Sequence, residues 1–271
     1  MNEEFLAGLE AEIRGAYYNA PPAAPGLCQV CTAPTTSEQY LLCSPCESAQ
    51  SSGHQLAHDV VPLSWAPMPE GLDYGTHSYS GQGYLDLRQY KTPEAVQTQW
   101  RRLRSLFILA FAKHSACIVP DSDSRAYAIT HVPSTSGQRN GTHPIETLLY
   151  GNFRDDRPRV TPEYVGEVGA PRAHRRQLNP SNWRIDPTQM QGAERVLILD
   201  DTWVTGGHAQ SLAAAFAAIG VSARVIVLGR ALDPRRNDHG SYLAEHRPAL
   251  FDSSICPVHR VQHGSEHGVT A

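Results

Sequence analysis

The sequence predicts an α/β chain: a parallel sheet with helices on its faces, preceded by a small cysteine-bound module. Three observations carry this. Two apolar runs, Arg195 to Asp201 and Ala223 to Gly229, flank a helical stretch from Ala209 to Ile219. Unbroken apolar strands joined by a crossover helix belong to parallel sheets covered on both faces. Four of the six cysteines stand in pairs, as Cys28-Gln-Val-Cys31 and Cys43-Ser-Pro-Cys46. Hydrophobic residues make up 41% of the 271 positions and charged residues 18%, which suits a packed core rather than a disordered chain.

The elements are taken in chain order. Phe5, Leu6, Leu9, Ile13 and Tyr17 share one helical stripe, predicting an amphipathic helix within residues 1–20. Asn19 to Gly26 holds three prolines and a glycine and reads as a linker. A cysteine module occupies 21–60, and the remainder, 61–271, forms the α/β domain. Thr92-Pro93-Glu94 is a helix start, a capping hydroxyl followed by Pro at the first helical position. That helix is expected to reach Lys113, with Val96, Trp100, Leu103 and Phe107 on its buried stripe. Ala116–Val119 and Ala126–Val132 read as strands, which makes Cys117 a strand cysteine. Pro144 opens a short helix to Tyr150. Segment 151–193 has no clear period. The strand from Arg195, the Gly206-Gly207 turn, the helix from Ala209 and the strand from Ala223 complete the chain.

Composition removes several function classes. Lys and Arg number 23 against 27 Asp and Glu, a net charge of −4, so nucleic acid is a candidate partner only through a local patch. Lys91 and Lys113 are the only lysines and neither follows a glycine, so there is no P-loop. G-x-G-x-x-G, G-x-S-x-G and H-E-x-x-H are likewise absent from the sequence. The longest apolar run, Leu212 to Val221, is well short of the ~18 residues of a membrane span. The start is acidic, without a basic segment leading to a small-residue cleavage site, so the cytoplasm is the expected location.

Two C-x-x-C pairs separated by eleven residues can present four thiolates to one tetrahedral Zn²⁺. Disulfides suit a cytosolic chain poorly. A closed site on Cys28, Cys31, Cys43 and Cys46 has no open position for water, so its expected role is to fold the segment. Cys256-Pro-Val-His259 has ligand spacing without an obvious second pair.

Chemistry concentrates in Val196-Leu-Ile-Leu-Asp200-Asp201-Thr202-Trp-Val-Thr205-Gly206-Gly207-His208. Ligands of open α/β sheets sit beyond the carboxyl ends of the strands. Paired carboxylates there can accept hydrogen bonds from the vicinal hydroxyls of a ribose. A Thr-Gly-Gly turn opening a helix offers N–H groups and the positive dipole end to a phosphate. Walker B strands also end in acids but need the missing P-loop. A response-regulator pocket needs over a hundred residues downstream, and 70 follow Asp201. The remaining competitor is an ordinary strand–turn–helix with solvated acids.

This run resembles the PRPP-binding motif of type I phosphoribosyltransferases. With the four-cysteine segment in front, the chain is similar to the ComF-like branch, linked to DNA uptake and competence, over about 27–230. Val132-Pro-Ser134-Thr135-Ser-Gly-Gln-Arg139-Asn-Gly141-Thr-His143-Pro144 is similar to the family's pyrophosphate loop, and Arg175-Arg176-Gln-Leu-Asn179 to an Arg…Asn element of that branch. The resemblance implies a type I phosphoribosyltransferase-like domain with an N-terminal zinc-ribbon-like module. It implies that Asp200 and Asp201 hold the ribose hydroxyls. The 5-phosphate would lie in the loop from Thr202, on the amides from Thr205 through Gly206 and Gly207 to His208. Ser134, Thr135 and Arg139 would meet the pyrophosphate, bridged to the ribose by Mg²⁺. The implied reaction passes through an oxocarbenium-like ribosyl cation, with positioning and charge neutralisation as the protein's contribution. Two residues depart from the family pattern. His208 stands where a Ser or Thr is usual. Val204 replaces the aspartate that serves the base in purine-salvage relatives, which weighs against their chemistry.

Lesser candidates are weighed against plainer readings. His54 and His58 have helical ligand spacing but read as surface histidines. Arg101, Arg102 and Arg104 beside Trp100 read as a solvated helix face before a nucleic-acid contact. Tyr79, Tyr84 and Tyr90 read as packing residues before an acceptor pocket. Lys91 follows Tyr90, as a Lys often follows an aromatic in ComF-like chains. The leading expectation is a Mg²⁺-dependent phosphoribosyltransferase acting on PRPP and a small-molecule acceptor. A non-catalytic PRPP or nucleotide sensor, favoured by the two departures, and a competence-type DNA-uptake adaptor stand beside it. A homodimer is compatible with each.

Overall fold

The computed structural model describes residues 2–69, 81–91, 97–119, 127–134, 143–152, 157–167 and 177–263. The described elements are α1 (Glu3–Ile13), α2 (Ser44–Gln50), β1 (Asp59–Pro62), β2 (Trp65–Pro67), α3 (Gln82–Gln89), α4 (Gln97–Ile118), β3 (Tyr127–His131), α5 (Pro144–Asn152), β4 (Glu163–Tyr164), β5 (Trp183–Arg184), β6 (Arg195–Trp203), α6 (Gly207–Ala217), β7 (Ser222–Leu232) and α7 (Asn237–Glu245). The architecture is α/β with a mainly parallel central sheet, as the apolar strands predict. No helix among the described residues is long and apolar enough to cross a membrane.

The chain divides into two compact units, each discontinuous in sequence. One comprises 42–61 and 121–227, the other 1–41, 62–120 and 228–271. In the first, the strand order is β1-β7-β6-β3. β3 and β6 are parallel, with Tyr127 opposite Arg195 and His131 opposite Leu199. Val196, Ile198, Ala128 and Ile129 are fully buried along this pair. Each large branched side chain contributes about 1.5–3 kcal/mol on leaving water, which is why an unbroken apolar run settles here as a central strand. α6 is the crossover from β6 to β7, and Leu212 and Phe216 bury its inner side. A two-stranded antiparallel pair, β4–β5, stands apart from the main sheet.

In the second unit, β2 runs parallel to the far half of β7, with Trp65 opposite Arg230. α1 and α3 pack on α4. Asn2 caps α1 through its side-chain oxygen, which accepts the Phe5 N–H at 2.9 Å. α1 ends at Ile13, earlier than the hydrophobic stripe suggested, and Phe5 on that stripe is exposed. Gly15, with φ 73, turns the chain there.

α4 departs most from the sequence reading. The strand expected at Ala116–Val119 is instead the last turn of this helix, which continues past Lys113 to Ile118 with non-helical angles at His114. A four-residue apolar run is compatible with either periodicity, and here the helix it adjoins prevails. Cys117 is therefore a helix residue, half-buried. The helix start at Thr92-Pro93-Glu94 and Val96 lie outside the described residues. Arg102 is not a solvated residue either: it is bound to Asp86 of α3, and Arg101 pairs with Glu12 of α1. His54 and His58 lie in an extended connection, not on a helix, and the Nδ1 of His58 lies 3.1 Å from Ser222 Oγ. Tyr90 is buried and stacks on Trp100 at 6.5 Å, with the Lys91 ammonium 5.6 Å from the Tyr90 ring. Tyr79 lies outside the described residues.

Candidate functional site

The site is built on the carboxyl edge shared by β3 and β6. Because the strands are parallel, the residues next in the chain after each of them emerge at the same edge. Val132 N–H donates to the Leu199 carbonyl at 2.9 Å, so pairing holds β3 one residue past its end, and Ser134 comes two residues later. Asp200 succeeds Leu199 on the neighbouring strand. Thr135 and Arg139, expected with Ser134 to meet a pyrophosphate, lie outside the described residues, as do Gly141, Arg175 and Arg176.

β6 does not end at its acids: it continues through Thr202 to Trp203. Successive side chains of a strand alternate in direction, and the two acids differ in burial accordingly. Asp200 is half-buried and Asp201 is 6% exposed. One oxygen of Asp200 accepts the backbone N–H of Asp201 at 2.8 Å, which fixes its orientation.

Val204 and Thr205 form the bend, and Gly206 is the N-cap of α6 with φ 79. Two demands make this a glycine position. The left-handed backbone is costly for any side chain, and a Cβ would collide with the Trp203 indole. The turn is thus folded over the last residue of β6. An α-helix leaves its first-turn N–H groups outside its own ladder; in α6 these come from Gly207, His208 and Ala209. The helix is secured just behind them: Gln210 N–H donates to the Gly206 carbonyl at 2.8 Å, and the Ser211 hydroxyl donates to the Gly207 carbonyl. The Ser211 oxygen in turn accepts the Asn179 N–H at 2.8 Å, so the described end of the Arg…Asn element docks on this helix.

A cluster not singled out from the sequence lies beside this edge. His131, last residue of β3, is 5% exposed, its ring 6.0 Å from that of His143 and 6.2 Å from Tyr150 on α5. Burial lowers the His131 pKa, opposed by Glu146. Burial also pushes the Tyr150 hydroxyl up to about 12, with Glu146 adding to it, while the Arg159 guanidinium lies 4.7 Å over the ring. The sequence marked His131 only as part of a strand-like run. Nothing in the sequence places it opposite Leu199.

The second gathering of functional side chains is the four-cysteine group. The Sγ atoms of Cys28, Cys31, Cys43 and Cys46 all lie within 4.8 Å of one another and all four residues are buried. The first pair sits in a tight knuckle. Thr32 N–H donates to the Cys28 carbonyl at 2.9 Å, Cys28 N–H donates to the Ala33 carbonyl at 2.7 Å, and Thr32 takes φ 63. Cys43 is the N-cap of α2, and Cys46 lies in its first turn, its N–H donating to the Cys43 carbonyl at 2.9 Å. Four soft sulfur donors gathered this closely are a donor set for a metal ion such as zinc.

Neither a protein-family model nor a curated protein matches the chain.

Proposed function

We propose that the chain binds PRPP at the carboxyl edge of β3 and β6 and transfers its ribose 5-phosphate to a small-molecule acceptor, releasing pyrophosphate. One observation carries this reading: Asp200 and Asp201 are followed, within one strand–turn–helix, by a left-handed Gly206 that opens α6. Carboxylates for sugar hydroxyls and helix N–H groups for a phosphate are then separated by only a few residues of chain. In this reading Asp200 and Asp201 hold the ribose diol. Thr202, Thr205, Gly206, Gly207 and His208 surround the 5-phosphate, and Ser134 with Thr135 and Arg139 meets the pyrophosphate. Mg²⁺ bound with PRPP would neutralise charge on the leaving pyrophosphate. The nearby carboxylates favour the cationic sugar of an oxocarbenium-like transition state. The buried four-cysteine group holds a structural zinc ion, closed by four sulfur ligands.

The test is direct. Purified protein is incubated with PRPP and Mg²⁺ across a panel of bases and amines, and pyrophosphate release is monitored. Acceptor-dependent release that Asp201→Asn abolishes, with the circular dichroism spectrum kept, supports the transferase. PRPP binding by calorimetry without release assigns the site to a sensor. Absence of PRPP binding overturns both. Retention of DNA that survives Asp201→Asn, weakens with salt and is lost in Cys28→Ser points to the adaptor instead.

A further inference from the structure

A second group of soft ligands lies outside the candidate PRPP site and outside the four-cysteine group. Cys117 of α4 comes together with Cys256, His259 and His263 near the end of the described chain. One ligand atom from each lies within 4.8 Å of every other. The separate contacts are tighter: Cys117 Sγ to His263 Nε2 is 3.4 Å, Cys256 Sγ to His259 Nδ1 is 3.4 Å, and His259 Nδ1 to His263 Nε2 is 3.3 Å. Zn–S bonds of about 2.3 Å and Zn–N bonds of about 2.0–2.1 Å at tetrahedral angles place neighbouring ligand atoms about 3.3–3.8 Å apart. The three contacts therefore have the spacing of ligands around one ion. A proton bridges a single pair of lone pairs; four that converge are satisfied together by a cation.

The backbone supplies an independent observation. The turn carrying Cys256 repeats the knuckle carrying Cys28, bond for bond. Arg260 N–H donates to the Cys256 carbonyl, as Thr32 N–H does to that of Cys28. Cys256 N–H donates to the Val261 carbonyl, as Cys28 N–H does to that of Ala33. Ile255 bridges Gln262, as Leu27 bridges Pro34. Ile255 N–H donates to the Asp252 carbonyl, as Leu27 N–H does to that of Ala24. Arg260 has φ 61 where Thr32 has φ 63, an uncommon backbone state for either residue type. The same knuckle thus presents Cys28 and Cys31 in one place and Cys256 and His259 in the other.

The third ligand is held in place by the kink of α4. His114, where the helix departs from regular angles, puts its Nε2 2.9 Å from the Ser253 carbonyl, and the Lys113 ammonium donates to the Ser253 hydroxyl at 2.5 Å. The segment just before the knuckle is thereby tied to the turn of helix that bears Cys117. His263 completes the set, four residues after His259.

We infer that Cys117, Cys256, His259 and His263 form a second zinc site, closed and structural, that pins the last described residues to α4. Two sulfur and two imidazole donors in a tetrahedral set select Zn²⁺ over hard oxygen-seeking cations. The site rests on no assumption about PRPP.

Zinc content decides it. Full-length protein, expressed with added zinc and purified under reducing conditions, is expected to carry two zinc ions per chain by mass spectrometric metal analysis. His259→Ala combined with His263→Ala is expected to carry one, with the circular dichroism spectrum retained, since His259 is exposed and its loss opens no core. Cys43→Ser is expected to remove the other ion independently. Co²⁺ substitution gives a second readout: thiolate-to-cobalt absorption should fall by about a third in the double-histidine variant, two thiolates of six. One zinc per chain in the wild type overturns the inference. So does a count of two that the double-histidine variant leaves unchanged. A Cys117–Cys256 disulfide with no second ion overturns it as well.

Discussion

Gly206 lies against Trp203 so closely that a Cβ on it would fall 2.6 Å from the indole Cη2, and its φ of 79 excludes ordinary side chains. Both constraints act at the same atom. Gly206→Ala is therefore expected to destabilise the chain by at least about 1–3 kcal/mol through backbone strain, with the indole collision added. Urea denaturation measures this. In a Trp203→Leu background, itself less stable because the indole is buried, the added cost of Gly206→Ala should shrink to the strain part. A Gly206→Ala chain as stable as wild type would mean that the turn re-forms in another way.

The second prediction concerns a buried ion pair. The Arg102 guanidinium donates to both oxygens of Asp86, Nε to Oδ2 at 2.7 Å and Nη2 to Oδ1 at 2.6 Å. The Asp86 side chain is fully buried and also accepts from the Tyr17 hydroxyl at 2.9 Å and the Gln82 amide at 2.8 Å. Removing one partner of such a pair strands a charge, which costs about 3–5 kcal/mol, whereas the intact pair adds little over an apolar substitute. Arg102→Leu is expected to fall in that range in chemical denaturation. Arg102→Lys should recover part of it only, since an ammonium cannot reproduce the two parallel bonds. A double Arg102→Leu, Asp86→Leu chain should be closer to wild type than Arg102→Leu alone.

How much of the molecule is legible in its sequence is set by how local each signal is. The β6–α6–β7 unit was legible because strand period, turn glycines and helix period lie in one continuous stretch, and each agrees with the others. The four-cysteine group was legible because its ligands come in pairs of fixed spacing. Asp86 and Arg102 were not, because they sit on separate helices and nothing in the sequence says which faces meet. Cys256 and His259 showed their spacing but not their partner, since Cys117 lies 139 residues earlier. Cys117 was further obscured by a short apolar run that reads as strand. The sequence reading ends β6 at its two acids, whereas the strand continues to Trp203, which polar Thr202 did not announce.

Loss of the four-cysteine group has a local signature. Cys28 N–H and Thr32 N–H are held by the knuckle's own bonds, to the carbonyls of Ala33 and Cys28. A knuckle of that length has too little apolar surface to fold alone, so an ion bound there would contribute the folding energy of the segment. Cys43→Ser, or chelation at neutral pH, is expected to release the ion and to raise amide hydrogen exchange at Cys28 and Thr32 by at least about 100-fold, equivalent to about 2.7 kcal/mol. Exchange on β3 and β6 should change little. Uniform acceleration across both regions would instead show that the segment and the sheet unfold together.

The pH dependence of stability should show the buried His131. Its pKa is lowered by desolvation, with Glu146 pulling the other way, so the folded chain favours the neutral ring. The unfolded chain takes up the proton near the ordinary value of about 6.5. Below that pH the unfolded state binds more protons than the folded state, and stability falls as pH falls. The contribution is fully present above about 6.5 and is lost progressively as pH drops from there through the folded value. Urea midpoints at descending pH should therefore decline across this window. His131→Phe keeps the ring contacts with His143 and Tyr150 but removes the titration, so its decline should be shallower. The His131 imidazole resonances of wild type should titrate below the ordinary histidine range. A His131 that titrates above it would mean that the ring is paired with a carboxylate at the β3–β6 edge rather than held neutral.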